Sequence, residues 1–90
     1  RMKIQIPKEQ SNYLEMLTYE VQCHQDLLTF MAAHGIDKNI SQNYYEKYQD
    51  YYIELALAKA QLESYLKTQI NEPLINWSLD FFSAEVSIND

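Results

Sequence analysis

Four groups of side chains in this 90-residue chain have types and spacings that could do chemistry. The first is Glu20, Cys23 and His24. A thiol beside an imidazole suggests a nucleophile with its base, or part of a metal site. On a helix, however, neighbours in sequence project about 100° apart, so Cys23 and His24 do not face each other. Glu20 and His24 do share a face, but two ligands fall short of the three or four that zinc takes. The Glu-x-x-His spacing of di-iron bundles is absent. The expected role of His24 is structural, hydrogen-bonded to Glu20 or to a tyrosine. Were it buried, it would make association pH-sensitive. The second candidate, His34, directly precedes Gly35. A cation at a helix C-terminus suits the dipole, so capping is expected there and not catalysis.

The third group is aromatic. Tyr44, Tyr45, Tyr48, Tyr51 and Tyr52 fall within nine residues. Tyrosine offers a large contact area with a polar tip and is enriched at protein interfaces. Stacking on nucleobases would call for basic neighbours. Only Lys47 lies inside the cluster, against Glu46, Asp50 and Glu54, so core or interface is the expected use. The fourth group is the acidic row Glu46, Asp50 and Glu54 at i, i+4 and i+8. Such rows are mostly solvated faces. Here no Lys or Arg follows any of the three at i+4, which keeps open a docking strip for a basic partner. One glycine cannot build a phosphate loop, and two histidines on one short stretch support no Ser-His-Asp arrangement. No catalytic residue, metal or cofactor is expected.

The composition narrows the partners. Net charge is −6, and hydrophobic residues make up 47% of the chain, with eight Tyr, three Phe and one Trp. That content is too apolar for disorder. It also exceeds what a domain of this size hides well, which points to a partner surface. The negative balance argues against nucleic acid and against anionic membrane surfaces. The single cysteine, Cys23, excludes an intrachain disulfide and fits a reducing cytoplasm. No apolar run approaches a membrane span, and the first residues lead into alternation instead of the apolar block of a secretory leader. Arg1 ahead of Met2 reads as an appended residue.

These groups need elements to hold them. Ser41 to Ile70 contains neither Gly nor Pro. Its apolar positions Tyr44, Tyr48, Tyr51, Leu55, Ala58, Leu62 and Tyr65 repeat with spacings of four and three, which predicts a long helix with one packing seam. An earlier helix carries the seam Leu14, Leu17, Val21, His24, Leu28 and Met31, of the coiled-coil kind. A second stripe on it, Met16, Cys23, Leu27 and Phe30, is more than one neighbouring helix can cover. Pro7, or a capping box of Asn12 with Glu15, opens this helix. Gly35 closes it with a left-handed cap, and Asp37, Asn39 or Ser41 caps the next. So short a connection makes the two helices antiparallel neighbours. Glu63 and Lys67 form a favourable i, i+4 pair.

Alternation of Met2, Ile4 and Ile6 predicts a first strand. Ile75, Trp77, Leu79 and Phe81 alternate likewise, then the phase slips to Phe82, Ala84, Val86 and Ile88. The slip suggests a β-bulge, or a break between two shorter strands. The fold class is therefore mostly α with some β: a long antiparallel helical hairpin with short terminal strands in the order β-α-α-β, in one domain over 1–90, the strands expected to pair over the hairpin within one chain or across a dimer. The bounds are strand 2–6, helix 8–34, helix 39–70 and strand or strands within 75–88.

The functional expectation is a cytoplasmic protein–protein interaction module, an adaptor or accessory subunit. It would act through the tyrosines and the stripe of Met16, Leu27 and Phe30, with itself as the expected partner in a homodimer. The alternatives are an acidic inhibitory protein docking on a basic enzyme, and a module that captures a peptide at an open strand edge.

Overall fold

The computed structural model describes residues 2–90. Its elements are β1 (Met2–Gln5), α1 (Lys8–Ala33), α2 (Lys38–Thr68), β2 (Trp77–Asp80) and β3 (Glu85–Ile88). The reading of Arg1 lies outside the described residues. The two helices pack antiparallel as a hairpin. The strands form one antiparallel sheet in the order β1-β3-β2. The first and last strands thus pair within the chain, Ile4 opposite Val86 and Met2 opposite Ile88.

Local chemistry explains the helix bounds. Pro7 is the N-cap residue of α1, and its carbonyl accepts from the Ser11 N–H at 3.1 Å. The expected capping box of Asn12 and Glu15 is overridden, since both residues lie inside the helix and are exposed. Proline's fixed φ suits the entry, and its missing N–H is one a helix start leaves unpaired anyway. At the other end Gly35 has φ 64°. The Ile36 N–H donates to the Met31 carbonyl at 3.0 Å, and the Gly35 N–H to that of Ala32 at 3.4 Å. This pair of bonds is the Schellman closure. Of the three candidate caps for α2, Asp37 serves, its carboxylate accepting from the Asn39 N–H at 2.7 Å.

The α1 seam runs as read, with Leu14, Leu17 and Met31 buried and Val21, His24 and Leu28 half-buried. The α2 seam departs from the reading at its base: Tyr65 is exposed and Leu66 is fully buried. There α2 meets the sheet as well as α1, so its buried stripe rotates by one residue toward the strands. Leu17, Leu55, Leu62 and Leu66 join Ile6, Ala84, Val86 and Ile88 in one core.

The phase slip in the tail is a turn, not a bulge. β2 and β3 form a hairpin with Trp77 opposite Ile88 and Leu79 opposite Val86. Asp80 builds the turn. Its carboxylate accepts from the N–H groups of Phe82 (2.9 Å) and Ser83 (3.3 Å), and its carbonyl from that of Ala84 (2.8 Å). Ala84 turns the chain with φ 57°, a conformation that costs an L-residue roughly 1–2 kcal/mol. The cost is offset where Ala84 is locked: its carbonyl accepts from the Ile6 N–H at 2.9 Å, and its methyl is buried.

The strands lie across the hairpin. At one end of β2 the Trp77 indole N–H donates to the Glu63 carboxylate of α2 at 2.8 Å. That contact takes the place of the expected Glu63–Lys67 pair. Just past the other end, the Phe81 carbonyl accepts from the buried Ser11 hydroxyl (3.0 Å) and from the Lys8 ammonium (2.8 Å), both on α1. Lys8 also reaches the Phe82 carbonyl and lies 5.6 Å from that ring's centre.

Two substitutions test this account by thermal and chemical denaturation. Gly35→Ala meets no atom within 4 Å of the added Cβ, so only the backbone resists. A loss of about 1 kcal/mol is expected, with Gly35→Asn closer to wild type. Leu62→Ala, at the junction of both helices and the sheet, is expected to cost about 2–5 kcal/mol.

Candidate interaction surfaces

The hairpin has two broad faces, and the sheet covers part of one. Ser11 of α1 and Glu63 of α2 bond to Phe81 and Trp77, and Leu14, Thr18 and Lys59 line a groove along β2 with Trp77, Leu79 and Phe81. Seven residues return a helix to nearly the same face. Thr18 therefore leads to Gln25 and Ala32, and Leu14 to Val21 and Leu28. On α2, Lys59 leads back to Tyr52 and Tyr45, and Glu63 to Ala56 and Gln49. This face continues beyond the edge of β2 for most of the hairpin's remaining length. From Val21 to Ala32 and from Ser41 to Ala56 none of its positions carries a charge.

Tyrosines dominate it. The ring centres of Tyr45 and Tyr48 lie 6.5 Å apart, and those of Tyr48 and Tyr52 lie 6.0 Å apart. With Gln49 and Ile53 they line a shallow groove of about 320 Å³. Gln49 donates to the Tyr45 hydroxyl at 3.3 Å. Tyr45 and Tyr52 are exposed, while Tyr48 is half-buried at the margin of the helix seam. Tyr44 and Tyr51 turn into the seam and are half-buried. The five tyrosines thus divide between packing and surface. A second groove at the hairpin tip is lined by Leu28, Met31, Ile36, Gln42 and Tyr45, with Lys38 also at its wall.

The second stripe lies on the opposite face. Met16, Cys23 and Phe30 are seven apart and two positions out of phase with Thr18 and Gln25. Met16, Leu27 and Phe30 are exposed, and Cys23 is half-buried. The Phe30 ring stacks on His34 with centres 4.1 Å apart. His34 is the C-cap residue, and its Nδ1–H donates to the Phe30 carbonyl at 2.9 Å. The tyrosine cluster and the stripe, each expected as a contact surface, lie on different faces of the hairpin.

Asp50 and Glu54 of the acidic row lie on the side of His24 and Tyr13, while Glu46, seven before Ile53, stands at the outer edge of α2 next to the tyrosine groove. Glu46 accepts from Gln42 at 3.2 Å, and Glu54 accepts from the Tyr13 hydroxyl of α1 at 3.2 Å. Asp50 and Glu54 line a shallow groove with His24, Lys47 and Tyr51. The row is therefore partly used within the chain. His24 holds its structural place: Nδ1–H donates to the Glu20 carbonyl at 2.8 Å, and the ring packs on Tyr51 at 5.3 Å. Among the described residues no three His, Cys, Asp or Glu side chains converge as metal ligands, and no helix is long and apolar enough to cross a membrane.

The sheet presents an edge that sequence reading placed only in outline. The Asn89 N–H donates to the Asn76 carbonyl at 2.9 Å. Alternation then directs the backbone groups of Ser78 and Asp80 to β3 and those of Trp77 and Leu79 to the open edge. The β1 edge carries Lys3, which is 3.6 Å from Glu85; β2 has no lysine or proline to blunt it. Asn89 was not singled out from sequence, yet its side chain pins the approach to β2. It accepts from the N–H groups of Ile75 and Asn76 and donates to Glu72 and to the Pro73 carbonyl. Its φ of 55° is one that Asn tolerates, the only local signal for the role.

Comparison with family models, with curated proteins and with solved structures finds no match to this chain.

Desolvation, and then the charge and hydrogen bond of Glu54, raise the pKa of the exposed Tyr13 above its ordinary value of 10.0. Because the folded value is the higher one, the contact's contribution is fully present below the unfolded value and is lost as pH rises through the folded value. Glu54→Gln is expected to return the Tyr13 midpoint toward that of an ordinary tyrosine, read by NMR of ring-labelled tyrosine. An unchanged midpoint would show that Glu54 does not act on it.

Proposed function

We propose that this chain is a small protein–protein interaction module, an adaptor or accessory subunit that acts through the tyrosine-lined face of its helical hairpin. One observation carries the reading. The chain exposes 6508 Å², where a compact protein of its 10.7 kDa mass exposes about 5,500 Å². Its radius of gyration is 16.4 Å against about 12 Å for a compact chain of this length. The surplus, about 1,000 Å², compares with the ~800 Å² per partner of a standard interface. It goes with a face rich in tyrosine and free of charged side chains between Ser41 and Ala56, the composition that interface cores favour.

The acidic row supports a second reading, an inhibitory protein that docks on a basic enzyme. It has less behind it, since Glu46 and Glu54 already accept hydrogen bonds within the chain. The β2 edge supports strand addition by an extended peptide, which would lie across the hairpin beside Trp77 and Leu79.

Cross-linking of the tagged chain in extracts of its source cells, read by mass spectrometry, separates these. The favoured reading expects cross-links around Tyr45 and Tyr52, complexes that persist in molar salt, and their loss in Tyr52→Ala. Complexes that dissolve in salt and are lost in Glu46→Lys with Asp50→Lys, but survive Tyr52→Ala, would replace it with the inhibitor reading.

A further inference from the structure

We propose that the tyrosine-lined face takes a second copy of this chain, packed antiparallel so that the two hairpins form a four-helix layer. The proposal rests on the interaction-module reading and names the partner for that face. Three observations lead to it. The sheet covers only the base of the face, and a packed helix pair sits about as far above a helical layer as a sheet does, roughly 10 Å. A second hairpin therefore continues the layer that the sheet begins. The longest dimension is 51 Å, and the strands cross the hairpin instead of running along it. The uncovered length is thus on the order of 30 Å on each copy.

Direction follows from the sheets. In a parallel pair they would collide at the shared base. In an antiparallel pair each hairpin tip reaches the β2 edge of the other copy, and both faces are covered along their length. The twofold axis then lies in the interface and across the helices, which sets α2 on α2 with Tyr45 and Tyr48 near the axis. The surplus area supplies the extent that a stable pair needs. The distribution of charge is the third observation. Between Ser41 and Ala56 the face carries no charged side chain, and Lys38 at the tip and Lys59 beside β2 flank that stretch. A chain of net charge −6 meets its copy with less repulsion there than on the opposite face, where Asp50 and Glu54 stand.

Light scattering after size exclusion, over a range of concentrations, tests this. Twice the 10.7 kDa chain mass is expected for the wild type. Tyr45→Glu and Tyr45→Lys, at an exposed position, are each expected to keep the wild-type circular dichroism and to weaken association about 30-fold or more. Mixed together they are expected to recover the double mass, because the axis brings the two charges close. Leu27→Glu, on the opposite face, is expected to leave the mass unchanged. A single-chain mass for the folded wild type at every concentration overturns the second copy. It leaves the interaction-module reading to its own cross-linking test. A double mass lost in Leu27→Glu but kept in Tyr45→Glu overturns the face, and charge variants that fail to recombine overturn the antiparallel placement.

Discussion

A sheet of three four-residue strands cannot cover helices of 26 and 31 residues, and most of what is distinctive here follows from that mismatch. Laid across the hairpin, three strands span about 10–15 Å along it. The longer helix runs about 46 Å. The fully buried leucines are accordingly concentrated at the base, where helix meets helix and sheet together. Towards the tip the seam holds Tyr44, Tyr48 and Tyr51, half-buried because only one neighbour covers them. A two-stranded packing of helices with one side open is a weak way to hold a long hairpin. The tip compensates locally, with the Schellman closure at Gly35 and the Asp37 cap fixing the connection on both sides.

The sheet could have lain elsewhere on the hairpin had its position not been tied to the chain's first turn. Four residues at the start, Gln5, Ile6, Lys8 and Ser11, bond to carbonyls of Phe81 to Ala84 in the β2–β3 turn. Two of these carbonyls face a lysine ammonium, and a buried hydroxyl reaches one of the same two. Hydrogen bonds from a charged donor are stronger than neutral ones, about 1.5–3 kcal/mol net against about 1. Exposure of Lys8 discounts that figure but not its direction. The Glu63–Trp77 bond anchors the opposite end of β2, and Asn89 holds the segment that leads into it. Contacts between residues some seventy positions apart thus decide where the strands stop, and hence how much of the helical face stays open.

Periodicity made the helices, their pairing and the core face of α1 legible, because only a helix brings every third or fourth residue back to one side. Gly35 and Asp37 were legible for a related reason, as residues whose backbone or side-chain chemistry suits one place. The sheet was legible as strands and as pairing of the first with the last over the hairpin, but not in its three-stranded order. The tail's phase slip suits a bulge and a turn equally well until Asp80 is seen to cap it, and Ala84 gives no sign that it will adopt a positive φ. Glu63 sits where a pair with Lys67 is sensible, and only the folded chain brings Trp77 closer. The site residues were found as types but not as a surface. Heptad arithmetic places Tyr45 with Tyr52 and Met16 with Phe30. It cannot say that the sheet lies on the tyrosine side, since that depends on the long-range bonds of Lys8, Ser11 and Glu63.

The use of tyrosine on the open face has a physical logic of its own. A face of leucine and phenylalanine over the same length would be a liability for a chain that spends time unpaired, because large exposed apolar patches aggregate. A face of charged residues would keep the chain soluble but would resist burial, since each charge must be desolvated or matched. Tyrosine with glutamine, threonine and alanine lies between these limits. The rings supply contact area when covered, and the hydroxyls and amides keep their hydrogen bonds with water when not. Gln49 and Tyr45 already satisfy one another within the helix, so covering them leaves fewer polar atoms to pair anew. The opposite face departs from this pattern: Met16, Leu27 and Phe30 are exposed on α1, and Asp50 and Glu54 line a groove with Lys47 on α2. Of the two faces, the one beside the sheet carries no charged side chain between Lys38 and Lys59, and it is the one the fold leaves unfinished.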